Sequence, residues 1–269
     1  MSQILTARAT PATARRTLAF ASVLSLAGAI ACGPKGEVST PKIRNGWEVE
    51  STATGPERLS TVGLQGKQGF STFSCSAGLL APDLVVTAAH CVIAGAKVVA
   101  FFGTDFSGTG ITIPVTGAVV DPDYAGATPS DGLKPHDVAV LRLARSAPAS
   151  YVVPKVVDAS EALASKEAVL LAGFGITEDG DGSGTLRAVE TTLVGRDDAG
   201  RLSIDDPSKR GACSGDSGGP LFVKRDGQYL LAGVLSGGPI PCRGVNVYTP
   251  LGQHAAFLAS ATKTLHASR

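Results

Sequence analysis

The sequence predicts an all-β domain, a sandwich or barrel, followed by a short C-terminal helix. Short apolar runs recur along the chain, each bounded by Gly, Pro or Asp, and that regular spacing marks such folds. Composition agrees, since 33 glycines against 5% aromatic residues suit many tight turns between short strands. Helical periodicity shows only at the end, where Leu251, Ala255, Leu258 and Leu265 fall on one face. With 269 residues and 43% apolar content, the chain can build one large domain or two small ones.

Met1–Ala31 comes first and reads as an export signal rather than as part of the fold. Arg15 and Arg16 form a positive flank to Leu18–Ala31, which carries no charge over 14 residues. A spanning helix needs about 20 residues, whereas a signal h-region needs about 7–15. Ala29-Ile30-Ala31-Cys32 resembles a bacterial lipobox, in which Cys32 becomes a lipidated first residue. Leu is usual where Ala29 stands, and cleavage by an ordinary signal peptidase nearby is the alternative. The paired arginines also fit a twin-arginine signal, although nothing around them is distinctive. Residues 32–42, with Pro34 and Pro41, suit a short linker or propeptide, and 43–269 hold the globular part.

The strand runs then follow: Phe70–Leu80, Asp83–Thr87, Lys97–Phe102, Ile111–Val120 and Val138–Leu143. After a gap come Val169–Phe174, Leu186–Val194, Pro220–Val223 and Tyr229–Leu235, with Arg225-Asp226-Gly227 as a hairpin turn. A formal net charge of +1 gives no electrostatic case for nucleic acid. The chain has no phosphate-binding glycine fingerprint, no C-x-x-C and no zinc spacing, so neither cofactor nor metal is expected. Of five cysteines, Cys32 stands apart, while Cys75, Cys91, Cys213 and Cys242 lie in the globular part, where an oxidising compartment favours disulfides.

Chemistry concentrates in Gly211-Ala212-Cys213-Ser214-Gly215-Asp216-Ser217-Gly218-Gly219-Pro220. Glycine permits positive φ and close backbone approach. The N–H groups of Gly215 and Ser217 can therefore converge on one oxygen, as acyl transfer requires. Taken alone, such a stretch is more often a glycine-rich turn with a surface serine. A serine hydroxyl needs a base, and the candidates are His90, His136, His254 and His266. A single histidine is usually a satisfied surface or core residue. His90 is set apart by Thr87-Ala88-Ala89-His90-Cys91, where a β run ends in small residues.

Thr-Ala-Ala-His-Cys, Asp137-Val138-Ala139-Val140-Leu141-Arg142-Leu143 and Gly-Asp-Ser-Gly-Gly-Pro together resemble the chymotrypsin/trypsin family of serine peptidases. The order His, Asp, Ser is that family's, whereas an α/β-hydrolase carries its His after its Ser. The resemblance runs from Ile43 to the final helix. It implies two orthogonal six-stranded β-barrels with a triad at their interface: His90 and Asp137 from the first, Ser217 from the second. Ser217 is then the nucleophile, His90 the base and Asp137 its orienting acid, with Gly215 and Ser217 as the oxyanion hole and Ser236 supporting Asp137. It further implies disulfides Cys75–Cys91 and Cys213–Cys242, and no partner for Cys32.

The same resemblance pairs Asp216 with a new amine at Ile43, released by cleavage after Lys42. Arg44 departs from the small apolar residue usual at the second position. A cut there would also sever a lipid tether at Cys32. The pocket that receives the residue before the scissile bond is expected to have Gly211 at its floor, Gly238 at its mouth and Asn246 on its wall. With no charge at the floor, an uncharged side chain is expected there. Gly237 stands where the family usually has tryptophan, and Cys242–Tyr248 is two residues short. The expected enzyme is exported, secreted or envelope-associated, monomeric, and acts on protein or peptide substrates. An inert homologue serving as a binding module would be expected to lack His90, Asp137 or Ser217, and an esterase using the same triad is not separated by sequence. Asp179–Glu190 fits an EF-hand loop at positions 1, 3, 5, 6 and 12, but its flanks read as strands, which favours a solvated acidic turn.

Overall fold

A computed structural model describes residues 43, 45–126, 136–177, 179–239, 242 and 244–268. All of these belong to one unit, Ser39–Arg269. The expected export signal, Cys32 and Lys42 lie outside the described residues. A two-residue strand, β1 (Trp47–Glu48), and one helical turn, α1 (Pro56–Leu59), lead into β2 (Thr61–Gln68), β3 (Ser71–Ala81), β4 (Leu84–Thr87), β5 (Lys97–Phe102), β6 (Ile111–Val120) and β7 (Ala139–Leu143). The last six close into a barrel in the order β2-β3-β4-β7-β6-β5.

The second half contains β8 (Lys155–Val156), β9 (Ala168–Gly173), β10 (Arg187–Thr192), β11 (Gly195–Arg196), β12 (Leu202–Ile204), β13 (Pro220–Arg225), β14 (Gln228–Gly237), β15 (Asn246–Pro250) and α2 (Ala255–Ala267). These strands and β1 form one sheet in the order β1-β10-β9-β13-β14-β15-β12-β11, with β8 pairing parallel to β14. Only Leu193 and Val194 separate β10 from β11, and the Val194 N–H donates to Ser203 of β12. The sheet therefore curls until its path returns to a single bent strand.

Period-two alternation explains why several strands are apolar throughout. Val85 of β4 points into the first barrel, while Leu84 and Val86 join a core shared with the second half. In β9, Val169 and Leu171 face the second core, whereas Leu170 and Ala172 face the shared one. β13 repeats the pattern, with Leu221 and Val223 on one side and Phe222 on the other. A strand buried on both faces has no polar positions to spare. The ends of β4 and β7 consequently abut the second half, which is where His90 and Asp137 sit.

Several sequence expectations coincide with the observed strands, as at β5 and β6. The hairpin turn is Asp226-Gly227, at φ +47° and +78°, between Arg225 of β13 and Gln228 of β14. Positive φ at both positions matches the twist of the flanking strands. Three corrections follow. Helix is not confined to the end, because Pro56 starts the single turn α1. The buried face of α2 is Leu258, Ala261 and Leu265, while Ala255 is exposed and Leu251 is buried before the helix begins. β2 lies ahead of the first expected strand run, Phe70–Leu80, and its Gly66 leaves room for an aromatic ring: a Cβ there would lie 2.0 Å from Phe73.

Candidate active site

His90 lies on a 3-10 turn, Ala89–Cys91, that follows directly from buried β4. Ala88 and Ala89 are almost fully buried, so only small residues fit the turn that carries the ring. Asp137 comes immediately before the buried run that leads into β7 and is 3% exposed. Its Oδ1 accepts the His90 backbone N–H at 3.0 Å, and its Oδ2 lies 2.8 Å from His90 Nδ1. Ser236 of β14 donates its hydroxyl to the same Oδ2 at 2.7 Å, and Thr249 of β15 donates to the Asp137 carbonyl at 3.1 Å. A carboxylate only accepts, so this geometry places the proton on Nδ1 and leaves Nε2 as the basic nitrogen.

Ser217 belongs to the second half but is docked on the first. The Ser76 N–H of β3 donates to the Ser217 carbonyl at 2.8 Å, and Cys91 Sγ lies 3.6 Å from that oxygen. Gly218 makes this approach possible. It sits at φ +77°, and a Cβ there would lie 1.9 Å from Thr87 Oγ1 and 2.5 Å from the Ser76 carbonyl oxygen. Gly215 sits at φ +94°, where a Cβ would lie 2.9 Å from Gly175 Cα. The two disulfides pair Cys75 with Cys91 and Cys213 with Cys242, with Cα atoms 6.3 and 5.2 Å apart. One braces the histidine turn, and the other braces the stretch that carries Ser217.

Asp216 is buried, and both carboxylate oxygens are held by backbone: Oδ1 by the Gly175 N–H at 2.7 Å, Oδ2 by the Cys213 N–H at 2.8 Å. Burial pushes its carboxyl up to about 6, against the opposing pull of those two N–H groups and of the Arg187 charge. The Ile43 side chain is 1% exposed and shares the second core with Ala212 and Tyr248. Burial, with the charge of Asp216 nearby, raises the Tyr248 phenol well above its usual range.

Beside Ser217 lies a cavity of about 140 Å³ bordered by Ala212, Ser214, Gly237, Gly238 and Asn246. Asn246 spans it: Oδ1 accepts the Ala212 N–H at 3.0 Å, and Nδ2 donates to the Ala212 carbonyl at 3.3 Å. A Cβ on Gly238 would lie 2.3 Å from that Nδ2. Gly211, expected at the floor, is buried and is not among the residues bordering the cavity. In Asp179–Glu190, the twelfth position, Glu190, lies within β10 opposite Leu170, and Asp181 accepts a hydrogen bond from Thr177 at 2.6 Å.

Sequence reasoning missed Arg187, whose side chain is fully buried and donates to the carbonyls of Gly175 and Gly182 at 3.1 and 2.6 Å. At the head of a strand run it gave no signal of burial. Ser76 was also missed; its hydroxyl donates to the Gly215 carbonyl at 3.0 Å and accepts from the Phe174 N–H at 2.9 Å.

The trypsin family model matches residues 49–258. Chymotrypsin-like elastase family member 1 from Bos taurus is 33% identical over 66% of this chain and 73% of its own length. Trypsin-like protease from Streptomyces glaucescens is 28% identical over 72% of this chain and 76% of that protein. Serine protease Hayan from Drosophila melanogaster is 30% identical over 63% of this chain, which spans 31% of that longer relative. The solved structure described as "Structure of GrC" superposes with a TM-score of 0.69 over 82% of this chain and all of its own, at 24% identity, and shows the fold alone. The chain belongs to the chymotrypsin/trypsin family of serine endopeptidases.

Proposed function

We propose that this chain is made as an exported precursor and, once cut between Lys42 and Ile43, hydrolyses peptide bonds through a Ser217 acyl-enzyme. The observation that supports this most is the contact of His90 with an Asp137 carboxylate that also accepts from Ser236. In the proposed cycle Ser217 Oγ attacks the carbonyl carbon while His90 Nε2 takes its proton, and Asp137 stays ionised and holds Nδ1–H. The N–H groups of Gly215 and Ser217 receive the oxyanion, a contribution of about 3–4 kcal/mol per donor in comparable sites. Breaking the C–N bond then returns the His90 proton to the leaving amine. Water repeats the sequence against the acyl-enzyme, releasing the acid and restoring Ser217.

Two features favour activation by cleavage. Asp216 is a buried carboxylate whose charge burial opposes, and a new ammonium at Ile43 would supply the missing partner. Ile43 also sits at φ +47°, a conformation that strains a β-branched residue by about 1–3 kcal/mol. Cutting the preceding peptide bond abolishes that dihedral altogether. Cys32 lies upstream of the cut, so a lipid there would tether only the precursor. No helix among the described residues is long and apolar enough to cross a membrane.

The proposed preference is for a small uncharged residue before the scissile bond, because the Asn246 carboxamide fills the space between Gly238 and Ala212. Profiling the form beginning at Ile43 against a peptide library tests the reading. Cleavage after small uncharged residues is expected. Dominant cleavage after Lys or Arg would overturn the preference, and absence of peptide hydrolysis would overturn the function.

A further inference from the structure

Three residues that the proposed mechanism does not use come together, one of them next to Asp137 in the chain. Asp121 directly follows β6, His136 directly precedes Asp137, and His254 ends the turn between β15 and α2. Asp121 Oδ2 lies 3.9 Å from His136 Nδ1 and 3.9 Å from His254 Nε2, and the two ring nitrogens are 3.3 Å apart. We propose that Asp121, His136 and His254 form a binding site for a zinc-like divalent cation that ties the two halves of the molecule together beside the triad aspartate. This inference stands apart from the reading of the catalytic cycle.

Geometry carries the proposal. At 3.9 Å the Asp121 oxygen stands outside hydrogen-bond reach of both rings, yet the side chain is 4% exposed. A point equidistant from three atoms at these separations lies about 2.2 Å from each, close to the 2.0–2.2 Å of zinc–nitrogen and zinc–oxygen bonds. Two of the three donors, His254 and Asp121, are oriented by outer partners as metal ligands usually are. His254 Nδ1 lies 2.8 Å from the Pro250 carbonyl, which only accepts, so Nδ1 carries the hydrogen and the Nε2 lone pair faces the cluster. Asp121 Oδ1 accepts the Asp123 N–H at 3.0 Å, leaving Oδ2 for the site. His136 is held at φ +66°, and its side chain is 41% exposed, so a fourth position can open to solvent on that side. Two imidazoles and one carboxylate suit zinc, whereas calcium takes oxygen ligands.

The same residues explain what an ion would do. Asp121 and His136 belong to the first barrel's connections, and His254 belongs to the second half. The His136 carbonyl accepts the Val138 N–H at 2.8 Å, which bends the chain around Asp137. A bound ion would therefore lock that bend against the segment that follows Thr249. The ligands lie 15 and 118 residues apart along the chain, so no spacing motif could announce them.

The test is calorimetric titration of the chelator-treated full-length protein with zinc, paired with a melting curve and the visible spectrum of the cobalt-loaded protein. One equivalent should bind and raise Tm. His136→Ala, whose half-exposed ring can go without unfolding the chain, should weaken binding at least tenfold and erase the cobalt bands. Asp121→Asn and His254→Ala should do the same, while His90→Ala should retain the ion. Wild-type binding in His136→Ala, loss of the ion in His90→Ala, or no stoichiometric binding would each overturn the proposal.

Discussion

Gly218 shows how much one residue's lack of a side chain can decide. Its φ of +77° and the 1.9 Å approach to Thr87 Oγ1 leave no space for a methyl group. Gly218→Ala should destabilise the protein by about 2–4 kcal/mol and reduce activity by at least 100-fold, measured by denaturant unfolding and kcat/KM. Adding Thr87→Ala should restore little, because the Ser76 carbonyl oxygen still lies 2.5 Å from the new carbon. Full rescue by the double variant would show that the backbone clash is unimportant. Asn246 makes the second case. Asn246→Gly removes both hydrogen bonds to Ala212 and opens the end of the cavity. The ratio of kcat/KM for large apolar over small residues before the scissile bond should rise about 10- to 100-fold. An unchanged ratio would place selectivity elsewhere.

Elements were legible from the sequence to the extent that their pattern was local. β5 and β6 are uninterrupted runs between turn residues, and the Asp226-Gly227 turn states its own conformation. β12 has three residues, Leu202–Ile204, and β15 contains Asn246 and Pro250, so neither offers a period to read. They exist because β15 pairs with β14 on one side and β12 on the other. The final helix was legible as a helix but not in its register, since Ala255 precedes the part that packs and Ala261 takes its place. Leu258→Ala should therefore cost about 2–4 kcal/mol in urea unfolding, whereas Ala255→Ser should stay within about 0.5 kcal/mol. Equal losses would contradict the observed face.

The candidate site was legible because His90, Asp137 and Ser217 each sit in a short distinctive string. What the strings could not show was assembly: the docking of Ser217 on Ser76, the burial of Arg187, and the meeting of Asp121 with His136 and His254. All three depend on chain segments that only the tertiary fold brings together. At this scale Asp216 gives a pH prediction. Its carboxyl is raised from 3.8 to about 6, so its contribution to stability is fully present below about pH 4 and is lost as pH rises through 6. The loss is at most about 3 kcal/mol, at 1.36 kcal/mol per pH unit. An ammonium at Ile43 should remove it. Comparing Ser217→Ala protein before and after the cut, the gain in Tm on cutting should therefore be larger at pH 7 than at pH 4. A gain that is independent of pH would separate Asp216 from activation.

The central claim is that Ser217, activated by His90 and Asp137, is the nucleophile of a peptidase. It is tested most directly by treating the form beginning at Ile43 with a biotinylated organophosphonate fluoride and mapping the adduct by mass spectrometry. Stoichiometric modification of Ser217 alone, with loss of peptide hydrolysis and slowing of labelling by at least 100-fold in His90→Ala, is the predicted result. An unlabelled Ser217, or labelling that proceeds as fast without His90, would contradict the account.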